Sequence, residues 1–132
     1  MAEEMMKTIL VADDDADSVV IITLRLEAGN YRVIIAHDGE ECLQMLATEQ
    51  PDLLLLDVMM PVLNGYGVLL KLQDLREDYP RIAKMPVIVF TASHETNVRT
   101  MMEKQQITDY ITKPFDPREL ITKINAAFAK AG

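Results

Sequence analysis

Seven side chains have types and placement that could do chemistry. Asp57 closes the run "LLLLDVMMP" (53–61), after four leucines of the kind that bury on both sides. A second acidic group, "DDDAD", supplies Asp13, Asp14, Asp15 and Asp17. Thr91 ends the apolar stretch "VIVFTA", and Lys113 follows "DYIT". An ionised carboxylate buried without a partner is expensive. Asp57 therefore needs something that makes its charge tolerable.

The elements that must position these groups are legible as alternating runs. Apolar stretches of strand length occur at 8–12, 31–36, 52–57, 86–92 and 109–112. Between them lie segments with helical spacing. Ala16, Val20 and Leu24 share one face of the first, Leu43, Leu46 and Ala47 one of the second, and Val68, Leu69, Leu72 and Leu75 one of the third. A fourth, around 95–106, has only Val98, Met101 and Met102 as a clear apolar set. The fifth carries Leu120, Ile121, Ile124 and Phe128, with Asp116, Pro117 and Glu119 as its start signal.

Strands that are continuously apolar rather than alternating imply a parallel sheet covered on both faces. The expected fold is an α/β, doubly wound, five-stranded parallel sheet with five helices. In such sheets, ligands sit outside the carboxyl ends of the strands, where the strand order reverses. All the candidate groups fall there.

In the order 2-1-3-4-5 the first and third strands are neighbours, so Asp13, Asp14 and Asp57 converge. A helix cap needs one carboxylate, which accounts for Asp15 and leaves Asp13 and Asp14 over. Three close carboxylates repel unless a cation joins them, and Mg²⁺ typically takes one or two carboxylates and completes its shell with water. Lys113 can reach Asp57 as a counter-charge, and Pro114 permits a cis bond that aims it. Thr91 adds a hydroxyl, and Ala92 a backbone N–H open to close approach. Nucleophile, metal and donors for three phosphoryl oxygens together make a phosphoryl-transfer site.

Composition narrows the partners. The 132 residues suit one domain, expected over 1–132 with a core at about 7–130. Residues 1–60 hold 3 basic and 13 acidic side chains, a net of −10, while 61–132 net +2. Such an acidic surface repels phosphates, so no direct nucleic-acid binding is expected. No apolar run is long enough to span a membrane, and no signal peptide is apparent. A single cysteine, Cys42, fits a cytoplasmic location.

With these motifs in place, the chain resembles the receiver domain of two-component response regulators, over about residues 7–130. "ILVADDD" is similar to the family's first strand and acidic pair, "LLLLDVMMPVLNG" to its phosphoacceptor strand and loop, with Pro61 and Gly65 at the family's spacing, and "YITKPF" to its last strand. The resemblance implies that Asp57 is the acceptor and that Asp14, Asp57 and the Met59 carbonyl bind the metal, with Asp13 acting through water. It implies Thr91 and Tyr110 as the switch pair and Lys113 as the lysine of the site. It also implies a histidine kinase or histidine phosphotransfer protein as donor. The response it implies is a change in the face formed by segment 95–106, the fifth strand and the last helix, read by a downstream protein or output domain. The protein would be a monomer or a phosphorylation-dependent dimer. It would catalyse only its own phosphorylation and dephosphorylation, and so is no conventional enzyme. The chain departs from the family at Gln106-Ile107, where Gly-Ala is usual, and in the longer stretch "QDLREDYPRIAKM". Met59 and Ser93 occupy the positions through which the family tunes dephosphorylation.

Other classes fit less well. A haloacid-dehalogenase-type phosphatase wants Thr or Val where this chain has Asp17. A flavodoxin-like cofactor binder needs a neutral phosphate loop, which Asp13, Asp14 and Asp15 would make repulsive. An unphosphorylated interaction module usually lacks part of the constellation. His37 and His94 lack metal-ligand spacing and are expected at the surface.

Overall fold

The computed structural model describes residues 6–60, 62–91 and 104–131. Five strands, β1 (Thr8–Ala12), β2 (Arg32–Ala36), β3 (Leu53–Asp57), β4 (Val87–Thr91) and β5 (Asp109–Thr112), form one sheet in the order β2-β1-β3-β4-β5. Every pairing is parallel. Five helices with both ends among the described residues lie on the two faces: α1 (Ala16–Ala28), α2 (Gly39–Glu49), α3 (Gly65–Asp78), the short α4 (Pro80–Lys84) and α5 (Pro117–Ala131). The doubly wound sheet and its order are as expected.

Alternation along the buried strands divides the core into two layers. Leu10, Ala12, Leu54, Leu56, Val87 and Val89 pack with Cys42 and Leu46 of α2, Val68, Leu69 and Leu72 of α3, and Ile82 of α4. Ile9, Val11, Leu53, Leu55, Ile88, Phe90 and Ile111 pack with Ile22 and Leu26 of α1 and with Leu120, Ile124 and Ala127 of α5. All five residues of β3 and of β4 are buried, as their unbroken apolar runs require.

One expectation about the helices needs correction. On α1 the buried residues are Ile22 and Leu26, whereas Ala16, Val20 and Leu24 are exposed. This helix is apolar almost all round, with Val19, Val20, Ile21, Ile22, Leu24 and Leu26, so spacing alone could not choose its core face. The chain "DYPRIAK" also forms α4, started by Pro80 at its first turn and anchored by fully buried Ile82. That helix takes up the extra length before β4. Of the expected helix at 95–106, residues 104 and 105 are helical. Residues 95–103, with Val98, Met101 and Met102, lie outside the described residues, as do Pro61, Ala92, Ser93 and His94.

Caps fix where the helices begin. Asp15 accepts from the Asp17 N–H and the Ser18 hydroxyl, Asp38 from Glu41 N–H, Asn64 from Gly67 N–H, and Asp116 from Arg118 N–H. The Asp15 assignment to the helix start is thus borne out. Its hydrogen bond from Ser18, followed by that from the Asp17 backbone, holds its carboxyl below the ordinary range.

Candidate functional site

β1 and β3 are direct neighbours, with Ala12 beside Leu56 in register. The next residue on each strand therefore emerges at the same edge, which places Asp13 against Asp57. Asp14 follows, and one carboxylate oxygen from each of Asp13, Asp14 and Asp57 lies within 4.8 Å of the others. Asp13 is fully buried and Asp57 only 7 % exposed, while Asp14 faces solvent.

Their partners differ, and so do their capacities. Asp13 uses both oxygens, accepting from Asp15 N–H at 2.9 Å and from Lys113 Nζ at 2.9 Å. Asp57 accepts from the Met59 N–H at 3.0 Å and, more loosely, from Lys113 Nζ at 3.4 Å. Asp14 points its carboxylate into the same space from the rim. The side chain of Met59 is exposed, and only its backbone approaches Asp57.

Burial pushes the Asp57 carboxyl up, to about 6; the Met59 N–H and the Lys113 charge oppose this, and the Asp13 charge adds to it. Lys113 experiences the converse. Burial works against its charge, but the hydrogen bond to Asp13 and the charges of Asp57 and Asp13 outweigh it, and its pKa is raised. The lysine is thus a firm cation in a pit of carboxylates. One ammonium cannot balance three of them. This donor set, all hard oxygen and short of positive charge, fits a divalent ion such as Mg²⁺.

Local backbone chemistry holds the pit open. Gly65 starts α3 against the end of β3, its N–H donating to Val58 O at 2.8 Å. A Cβ there would lie 2.7 Å from Val58 Cα and 2.9 Å from Asp57 O, so only glycine lets the loop close onto β3. Lys113-Pro114 is a cis peptide bond. Lys113 N–H donates to Thr91 O at 2.7 Å, which brings the ends of β4 and β5 together. Thr91 is buried at the end of β4, one residue past Phe90, the register partner of Asp57.

Tyr110 lies on β5 beside Val89, half-buried against the layer of α2 and α3. It is bound to Lys123 of α5, a residue the sequence did not single out. The Lys123 ammonium donates to Tyr110 O at 2.6 Å and to Asp109 Oδ1 at 3.2 Å, and stands 5.2 Å from the Tyr110 ring centroid. The only hint in the sequence is the Glu119–Lys123 spacing of four on a helix. Arg76 was also not foreseen. Its guanidinium donates to Gln105 O and Gln106 O, both at 3.3 Å. His37 is at the surface, paired with Glu41.

Residues 9–125 match the response regulator receiver domain family. The chain belongs to that family. Among curated relatives, the alkaline phosphatase synthesis transcriptional regulatory protein PhoP of Bacillus subtilis is 37 % identical over 127 residues, covering 96 % of this chain and 50 % of that protein. The probable transcriptional regulator ycf27 of Pyropia yezoensis is 40 % identical over 129 residues, covering 98 % of this chain and 50 % of that protein. The receiver spans about half the length of these relatives. Among solved structures, a CheY-like receiver domain protein of Methanospirillum hungatei superposes with a TM-score of 0.85 at 28 % identity, covering 96 % of both chains. The receiver domain of Francisella response regulator 1452 gives 0.84 at 31 % identity, covering 96 % of this chain and 99 % of that one. Membership gives the receiver a phosphoacceptor role in two-component signalling. No helix among the described residues is long and apolar enough to cross a membrane.

Proposed function

We propose that this receiver accepts a phosphoryl group on Asp57 from the phosphohistidine of a histidine kinase or histidine phosphotransfer protein, or from a small phosphoanhydride. The observation that carries this is the convergence of Asp13, Asp14 and Asp57 around one lysine, with Lys113 Nζ 2.9 Å from Asp13 and 3.4 Å from Asp57. In the transfer an Asp57 carboxylate oxygen forms the new P–O bond while the donor's bond to phosphorus breaks: P–N in a phosphohistidine, with imidazole leaving with the bonding electrons, or P–O in acetyl phosphate, with acetate leaving. Asp57 has to be ionised to attack. With burial holding its pKa near 6, it is mostly so at neutral pH.

Asp13, Asp14, Asp57 and the Met59 carbonyl would hold Mg²⁺, which neutralises the carboxylates and the incoming phosphoryl oxygens. The free carboxylate of Asp14 supports direct ligation, and the fully engaged Asp13 supports a role through water. Lys113 stays at its post throughout, pairing with a phosphoryl oxygen once Asp57 is phosphorylated. The Thr91 hydroxyl then donates to the phosphoryl group, and its displacement leaves room for Tyr110 to turn inward. That alters the face made by segment 95–106, β5 and α5. Hydrolysis by the same site resets the switch, so the protein acts on itself.

We place the receiver in the cytoplasm as one domain with its core at about 7–130, a monomer or a dimer on phosphorylation. Its relatives' names make transcription the proposed output, with any DNA contact made by an output domain or partner and not by this acidic receiver. Intact-mass measurement after incubation with acetyl phosphate tests the proposal. A gain of one phosphoryl group with Mg²⁺ and none with chelator is expected. No gain under either condition would overturn it.

A further inference from the structure

We propose that Lys123 is a positioning residue of the switch: its ammonium holds the Tyr110 ring in the resting rotamer and so sets how readily phosphorylation turns it. The inference rests on the proposed switch role of Tyr110.

Lys123 is not a roaming surface lysine. Its side chain is 27 % exposed, and three acceptors fix the ammonium: Tyr110 O at 2.6 Å, Asp109 Oδ1 at 3.2 Å and Glu119 Oε1 at 3.6 Å. Among the described residues, Asp109 and Glu119 are the charged groups paired with it, one from β5 and one from its own helix. With its position so determined, the ammonium stands 5.2 Å from the Tyr110 ring centroid, within the range of a cation–π attraction.

The contacts fall into two kinds. Those to Tyr110 O, Asp109 and Glu119 depend on β5 and α5 being packed together, and they survive any rotation of the tyrosine side chain. The ring contact does not. Staggered χ1 wells lie about 120° apart, so leaving the present well carries the ring to another side of the Cα–Cβ axis and away from a fixed ammonium. The attraction therefore belongs to the resting state alone. An interaction present in one of two states shifts their balance by its own strength. Lys123 works against activation, and loss or acylation of its charge would favour the active form.

Beryllofluoride with Mg²⁺, a phosphoryl mimic, provides the probe. Lys123→Gln should bind it about threefold more tightly than wild type, the size of an exposed cation–π contact. Lys123→Arg, which retains a cation over the ring, should stay near wild type. In a Tyr110→Ala background Lys123→Gln should change nothing further, because the path runs through the ring. Nuclear magnetic resonance of the unliganded protein gives a second readout, in which Lys123→Gln should shift the Tyr110 ring signals toward rotamer averaging. Should that variant not fold, Lys123→Met is the substitute, since it retains the stem of the side chain. Unchanged ring signals overturn the proposal, and so does a gain in affinity that persists undiminished without the ring. If wild type binds no beryllofluoride, the phosphoryl-site proposal fails by itself, and the ring signals still decide the role of Lys123.

Discussion

At the residue scale the proposed chemistry rests on Asp57 and Asp14, and each makes a prediction. Burial raises the Asp57 carboxyl from its ordinary 3.8 to about 6. A carboxyl whose pKa is higher folded than unfolded binds its proton more tightly in the fold. Stability is then present below the unfolded value and is lost as pH rises from about 4 to about 6. Asp57→Asn removes that loss. In chelator the variant should match wild type near pH 4 and exceed it by about 1–3 kcal/mol at pH 7. Denaturation at the two pH values measures this, and an equal difference at both would exclude burial of the charge as the cause. The acidic cluster divides in the same concrete way. Asp15 caps α1 through Asp17 N–H and Ser18, whereas Asp14 reaches the pit. Asp14→Ala should abolish Mg²⁺ binding, and Asp15→Ala should lower thermal stability while retaining it. A Mg²⁺ titration in which the two variants behave alike contradicts that division. Much of this was legible in the sequence, because a carboxylate after four leucines has few harmless explanations. The Lys123 contact was not, since it depends on the exact approach of α5 to β5.

Among the elements, the strands were the most legible and α1 the least. The runs of β1, β3 and β4 exceeded what a half-exposed strand would carry, and each observed strand falls within a residue of its expected bounds. On α1 nearly every direction is apolar, and only docking on the sheet decides that Ile22 and Leu26 face inward. The turn before β5 shows a different limit. Gln106 adopts a left-handed φ of 57° at a position where this family usually has glycine. A side chain pays about 1–2 kcal/mol there. α3 supports the turn across space: Arg76 donates to Gln105 O and Gln106 O, and Gln73 to Gln105 Oε1 at 2.7 Å. Arg76 and Gln106 are thirty residues apart, beyond any local pattern. Arg76→Met should cost about 1–3 kcal/mol, the range for hydrogen bonds from a charged donor. Urea denaturation checks the cost, and phosphoryl uptake at Asp57 should be unaffected. An unchanged midpoint would mean that the turn supports itself.

For the whole molecule the question is how one modified carboxylate alters a surface across the sheet. The proposed route runs along the sheet edge from Asp57 on β3 to Thr91 on β4 and then to Tyr110 on β5, three neighbouring strands. Its proposed hinge is the Thr91 hydroxyl. Thr91→Ala should still take a phosphoryl group but should pass little of the change to Tyr110 and residues 104–107. Amide shifts on adding beryllofluoride and Mg²⁺ report this, and a wild-type pattern at full amplitude in the variant would remove Thr91 from the route. All of it presupposes that Asp57 is where the phosphoryl group lands, and an acyl phosphate can be trapped there. Borohydride reduces an acyl phosphate to an alcohol, turning the acceptor aspartate into homoserine. After treatment with acetyl phosphate and Mg²⁺, borohydride reduction and peptide mapping should place homoserine at position 57 and nowhere else. Homoserine at position 13 or 14, with Asp57 intact, would contradict the account.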